Sequence, residues 1–138
     1  DAPWRAHLGP LCPEATHDLG GVGLFLREPF GFVALPAKTD AFQRVIDAGR
    51  GQIYAIELKP KFTVYFVCLY CYSGGHTCTM AAATSDDLFV AAVLELAHQP
   101  DGPAFCFTDL NADPTDLPAL SKSIDNEQWV DVGAMAQI

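Results

Sequence analysis

Alternation of apolar and polar positions is clearest in the middle of the chain. Gln52-Ile53-Tyr54-Ala55-Ile56-Glu57-Leu58 alternates, and Phe62 to Tyr70 follows across Lys59-Pro60-Lys61, which predicts an antiparallel hairpin. Its second strand is apolar on both faces, as a central strand covered on both sides would be. Two shorter strands are predicted upstream, one over Gly20–Arg27 and one at Phe32–Leu35, stopped by Pro36; the polar stretch after it predicts no element. Ser85 can cap a helix with Asp86 and Asp87 in its first turn, and Leu88, Phe89, Ala92, Val93 and Leu96 then form one apolar stripe through about His98. A strand over Pro103–Cys106, a short helix over Leu117–Ile124 and a last strand at Trp129–Val132 complete the expectation. Residues 1–18, rich in Pro and Gly, read as an extended lead-in, and 19–138 as one domain. The order of strands followed by helix, strand and helix predicts an α/β (α+β) domain.

Composition agrees with a single packed core. The chain has 138 residues, half of them apolar and 18% charged, the balance of a folded domain. Eight Lys+Arg against seventeen Asp+Glu give a net charge of −9, which repels polyanions at long range. Nucleic acid would then need a local basic patch or metal ions, with Lys38, Arg44, Arg50, Lys59 and Lys61 as the candidates. No apolar run approaches the ~20 residues that span a bilayer. Five scattered cysteines do not form a secreted disulfide framework, so an intracellular, reducing compartment is expected.

Three constellations carry candidate chemistry. The first is Asp109 with Asn111, two positions apart at the end of a short buried strand, where alternation would put both side chains on one edge of the sheet. An aspartate there can orient or deprotonate a water and the amide can contact a phosphate oxygen; the same residues also make ordinary turn bonds before Pro114. The second is Cys68-x-x-Cys71-x4-His76-x-Cys78, which nearly spells a zinc knuckle, but Ala81 stands where the last cysteine belongs. With Cys68 inside an apolar strand, buried thiols are the simpler reading. The third is Tyr70 with Ser73 and His76 around Gly74-Gly75, a strand end and loop that could receive an anion.

In order and spacing these pieces resemble the endonuclease/exonuclease/phosphatase superfamily. The resemblance rests on Gly20 to Phe25, the hairpin ending in Val67-Cys68-Leu69-Tyr70, the helix Leu88–Ala97, and Thr108-Asp109-Leu110-Asn111-Ala112, which is similar to the family's G-D-x-N-A with Thr in place of the first Gly. The family's N-x-Y-x-P strand end corresponds to Cys68-Leu69-Tyr70-Cys71-Tyr72, which retains only the Tyr. The likeness covers roughly Leu19 to Gly133.

What the resemblance implies is a four-layered α/β sandwich, here partial, and magnesium-assisted phosphodiester or phosphomonoester hydrolysis. Asp109 would activate or orient the attacking water, Asn111 would position it, Tyr70 would contact the scissile phosphate, and His76 and Ser73 would bind substrate. The family's metal-binding Glu, expected on a strand before Trp4, and its closing Ser-Asp-His have no counterparts here. The expectation is therefore a truncated or degenerate phosphodiesterase, most similar to retroelement endonucleases and inactive as given, with no metal ligands assigned. The competing expectation is a non-catalytic structural or interaction subunit, because a partial sandwich leaves open sheet edges for a protein partner to cover.

Overall fold

The computed structural model describes residues 3–13 and 21–136, which form a mixed α/β architecture with two sheets and four α-helices. The larger sheet has the order β3 (Phe32–Ala34), β4 (Gly51–Lys59), β5 (Phe62–Tyr70), β6 (Ala104–Asp109). The first three strands are antiparallel, and β6 lies parallel to β5. A parallel neighbour needs a long crossover, supplied here by α2 (Thr79–Leu96). The smaller sheet pairs β1 (Trp4–Leu8) antiparallel with β2 (Gly23–Arg27).

The two faces of the larger sheet are covered differently. On one, Ile53, Tyr65, Val67 and Leu69 pack against Phe42 and Val45 of α1 (Asp40–Asp47) and Leu88, Phe89, Ala91 and Ala92 of α2, forming the core. Leu120 of α3 (Pro118–Asp125) and Trp129 extend that cluster. On the other face the β1–β2 ribbon meets β4 through His7, whose Nδ1 lies 2.9 Å from the Tyr54 hydroxyl and whose ring stands edge-on to Tyr54. This ribbon face is incompletely covered, since Phe105 and Phe107 of β6 are 49% and 53% exposed.

Several elements depart from the sequence expectation. The hairpin matches it, with Lys61 at φ 64° in the tight turn. Trp4–Leu8, inside the expected lead-in, is a strand because β2 offers it a partner; residues 14–18 lie outside the described residues, as do Leu19 and Gly20 at the start of the expected second segment. The polar stretch after Pro36 contains α1, whose N-cap Thr39 accepts the Phe42 N–H at 3.2 Å. Helix α2 begins at Thr79, not at Ser85. Trp129–Val132 is not a strand: Trp129 packs edge-on against Phe89, and α4 (Val132–Met135) follows, capped by Asp131.

The earlier start of α2 reassigns its acids. Asp86 is buried and accepts the N–H groups of Ala119 and Leu120 at 2.8 and 3.0 Å, so it caps α3 from a distance. One helical stretch further along, Glu95 is 2% exposed and accepts the Lys38 and Thr39 N–H groups and the Thr39 hydroxyl at the start of α1. Buried carboxylates need such donors, and helix N-termini are rich in unpaired N–H groups. Ser85, freed from capping, accepts the Tyr72 N–H at 2.9 Å and ties the end of β5 to α2.

Candidate functional site at the ends of β5 and β6

The C-terminal ends of two parallel strands open a sheet toward solvent, and in open α/β sheets this is where ligands bind. Here the register gathers three chemistry-bearing residues in one row. Tyr70 pairs with Asp109 on one side. On the other, its N–H donates to the Arg50 carbonyl at 2.8 Å, continuing the Gly51–Leu69 pairing. Because paired residues share a face, Arg50, Tyr70 and Asp109 lie side by side across β4, β5 and β6, on the ribbon face.

Arg50 is the residue that the sequence motifs missed. Its guanidinium carbon sits 4.7 Å from the Tyr70 ring centroid and 4.1 Å from that of Tyr72, a stack between two aromatic faces. Its Nη1 also donates, at 3.4 and 3.3 Å, to the carbonyls of Tyr70 and Cys71. A planar cation held this way keeps its remaining N–H groups for an anion. The only sequence signal for it was its place among the five candidate cations Lys38, Arg44, Arg50, Lys59 and Lys61.

The other candidates divide. Asp109 is exposed at the end of β6. Asn111 does not share its edge by strand alternation, because the strand stops at Asp109 and Asn111 turns into the left-handed region at φ 51°. Its amide instead donates to the Cys71 carbonyl at 3.4 Å, the same carbonyl that Arg50 uses, so it braces the rear of the row. The loop with Ser73 and His76 packs on this turn: a Cβ at Gly75 would come within 2.7 Å of the Ala112 Cβ. Ser73 and His76 are both exposed. His76 lies close enough to Asp113 to favour its ionised form, but the Thr115 backbone N–H and hydroxyl do more to hold that carboxyl below its ordinary range. The expected basic residues do not form a stripe, since Arg50 and Lys59 stand at opposite ends of β4, about 30 Å apart at strand rise.

Metal chemistry has little support from these side chains. Magnesium takes near-octahedral oxygen ligands, including one or two carboxylates. Asp109 brings one carboxylate, the Asn111 amide is turned to a carbonyl, and Asp113 is engaged by Thr115. Among the described residues no three His, Cys, Asp or Glu side chains gather where a metal ion could sit. The residues present do not fit magnesium held by the protein alone. They also form no zinc knuckle, as Cys78 is exposed while Cys71 is buried. Burial pushes the Cys68 thiol up to about 11 and Cys106 to about 12, and raises Cys71, so none of the three is a thiolate nucleophile at neutral pH.

Compared with protein-family models, curated proteins and solved structures, the chain matches none of them. No helix among the described residues is long and apolar enough to cross a membrane.

Proposed function

We propose that this chain is a diverged relative of the magnesium-dependent phosphodiesterases of the endonuclease/exonuclease/phosphatase superfamily, one that binds a phosphate ester at the strand ends without turning it over. The observation that carries this reading is the row Arg50–Tyr70–Asp109 at the mouth of a parallel strand pair. The motif-like Thr108-Asp109-Leu110-Asn111-Ala112 ends in that row, which supports the family assignment. In this reading Arg50 and the Tyr70 hydroxyl donate to phosphate oxygens, and Asp109, without a cation beside it, repels the same oxygens. The finer fold assignment, one half of a four-layered sandwich, belongs to the same proposal; the exposed Phe105 and Phe107 lie on the face where a second sheet would pack.

Titration of bis(p-nitrophenyl) phosphate, with magnesium or with EDTA, tests it. Arg50→Gln should weaken binding about tenfold, the loss of one charge-assisted contact. Asp109→Asn should strengthen it several-fold by removing a like charge, the opposite of what a metal-dependent enzyme would show. Magnesium-dependent release of nitrophenolate that Asp109→Ala abolishes would mean that the chain is an enzyme after all.

A second reading, a non-catalytic interaction subunit, is favoured by a different observation. Strand β6 is one of the two outer strands of the sheet among the described residues and exposes two phenylalanines. Both readings can hold for one chain, because the row sits at the end of β6, where Asp109 is shared, while the edge runs the length of the strand.

A further inference from the structure

The two outer strands of the sheet are not alike. Strand β3 has three residues, and short edge strands are one device by which proteins avoid further pairing. Strand β6 has six, Ala104-Phe105-Cys106-Phe107-Thr108-Asp109, with no Lys, no Pro and no bulge. Its inner backbone groups are those of the odd-numbered residues: the Pro103 carbonyl accepts the Tyr65 N–H and the Asp109 carbonyl accepts the Cys71 N–H. Strand backbone groups alternate sides, so the N–H and C=O of Ala104, Cys106 and Thr108 point away from β5.

Alongside that edge, on the helix side, runs a mainly apolar groove of about 730 Å³. It is lined by Cys106 and Leu110 from β6 and the turn after it, and by Leu120, Ile124, Trp129 and Asp131 from α3 and the segment that follows. An edge left unpaired among the described residues, beside a groove lined by helix residues, is the arrangement that receives an extended peptide by strand addition, with backbone pairing for affinity and pockets for alternate side chains. The six residues of β6 offer about 20 Å of ladder.

Charge decides the occupant. Asp131 lines the groove, Asp109 ends β6, and Asp113 and Asp125 share an adjoining hollow with Asp131, with no Lys or Arg lining either, so the local charge beside this edge is negative. A second copy of the chain would bring the same acids against themselves, whereas a basic partner is attracted. We infer that β6 takes up an extended, mainly apolar segment with basic flanks from a partner protein, adding it as a fifth strand that seats alternate side chains in the groove and against Phe105 and Phe107. This rests on the interaction reading above and supplies the chemistry of the partner.

The test uses a fluorescein-labelled Lys-Val-Ile-Val-Ile-Val-Lys peptide, its Glu-ended counterpart, and a version N-methylated at alternate amides, read by anisotropy on the whole chain. The Lys-ended peptide should bind at least about tenfold tighter than either of the others, an affinity that higher salt reduces. Thr108→Pro removes an outward N–H without touching the inner ladder and should cost a similar factor. Asp131→Asn, which can still cap α4, should weaken only the Lys-ended peptide. Amide exchange by NMR separates the levels of the claim. Fast exchange at Cys106 and Thr108 with slow exchange at Phe105 and Phe107, reversed for the former on adding peptide, supports strand addition. An open edge that ignores all three peptides overturns the partner chemistry, and equal binding of the N-methylated peptide overturns strand addition. Self-association through β6 overturns the assignment of the partner in favour of a second copy. Slow exchange along all of β6 in the free chain overturns the interaction reading itself.

Discussion

Glu95 and Asp86 lie on one helix and each holds the start of another, so two side chains set the positions of three helices. Replacing Glu95 by Ala would strand two N–H groups and a hydroxyl in a site that is 2% exposed. Each buried unsatisfied donor costs about 1–3 kcal/mol, so a loss of about 3 kcal/mol in urea unfolding is expected for Glu95→Ala. The same substitution at Asp87, exposed on the same helix, should change stability by no more than about 0.5 kcal/mol. Equal effects at the two positions would show that the capping geometry contributes nothing. Local reading of Asp86 went astray at this scale: a carboxylate after Ser looks like a first-turn acid, and only the partner helix reveals its donors. Arg50 was legible only as one of five candidate cations, since nothing near it in sequence sets it apart, while Tyr70 and Tyr72 reach it across the hairpin.

At the scale of elements, the hairpin and the strand character of β6 were legible because their patterns are local and strong. The apolar run that predicts a buried strand is in fact an outer one, exposed at Phe105, Phe107, Thr108 and Asp109, because among the described residues no strand lies beyond it. Alternation in β4 and the unbroken apolar run of β5 correspond to an antiparallel pair in the middle of the sheet. Helix α1 was legible in principle: Thr39 at its N-cap, Asp40 in the first turn and Phe42, Val45 and Ile46 at helical spacing are ordinary signals, but only two of its eight residues are fully buried and its charges mask them. Strand β1 could not be read locally, because an exposed ribbon strand is specified by its partner more than by its own periodicity. The loop between β5 and α2 carries its own test. Gly75→Val would drive its side chain into Ala112, whose Cβ already lies 2.7 Å from the position of a glycine Cβ, and should displace the turn that holds Asn111. Shifted amide resonances at Asn111 and Ala112, with the core resonances unchanged, are the expected readout; an unperturbed turn would mean that the loop and the turn do not support each other.

For the whole molecule, buried thiols and a buried phenol set an alkaline limit. In the folded chain Cys106 is pushed from 9.0 up to about 12 and Cys68 up to about 11, by burial first, and burial pushes Tyr54 from 10.0 up to about 12. Below pH 9 these groups are protonated in both states, so their contribution to stability is fully present. As pH rises above that, the unfolded chain loses protons that the folded chain retains, and stability falls until the folded values near 11 to 12 are passed. Thermal unfolding of the reduced protein should therefore show a midpoint that is steady below pH 9 and drops above it. Cys106→Ala should flatten the drop; a midpoint that falls equally steeply in this variant would assign the alkaline loss to other groups.

Hydrophobic patterning and motif spacing by themselves determined that the chain folds around one core, that its centre is an antiparallel hairpin, and that a further strand after the long helix ends at Asp109. These follow from nearest-neighbour periodicity, which is written along the chain. Tertiary structure decided that β6 lies parallel beside β5, that Arg50 joins Tyr70 and Asp109 while the Asn111 amide turns to the Cys71 carbonyl, and that one edge of the sheet borders a mainly apolar groove with Asp131 in its lining. Those relations depend on register and on contacts between residues far apart in sequence, where no local pattern carries the information.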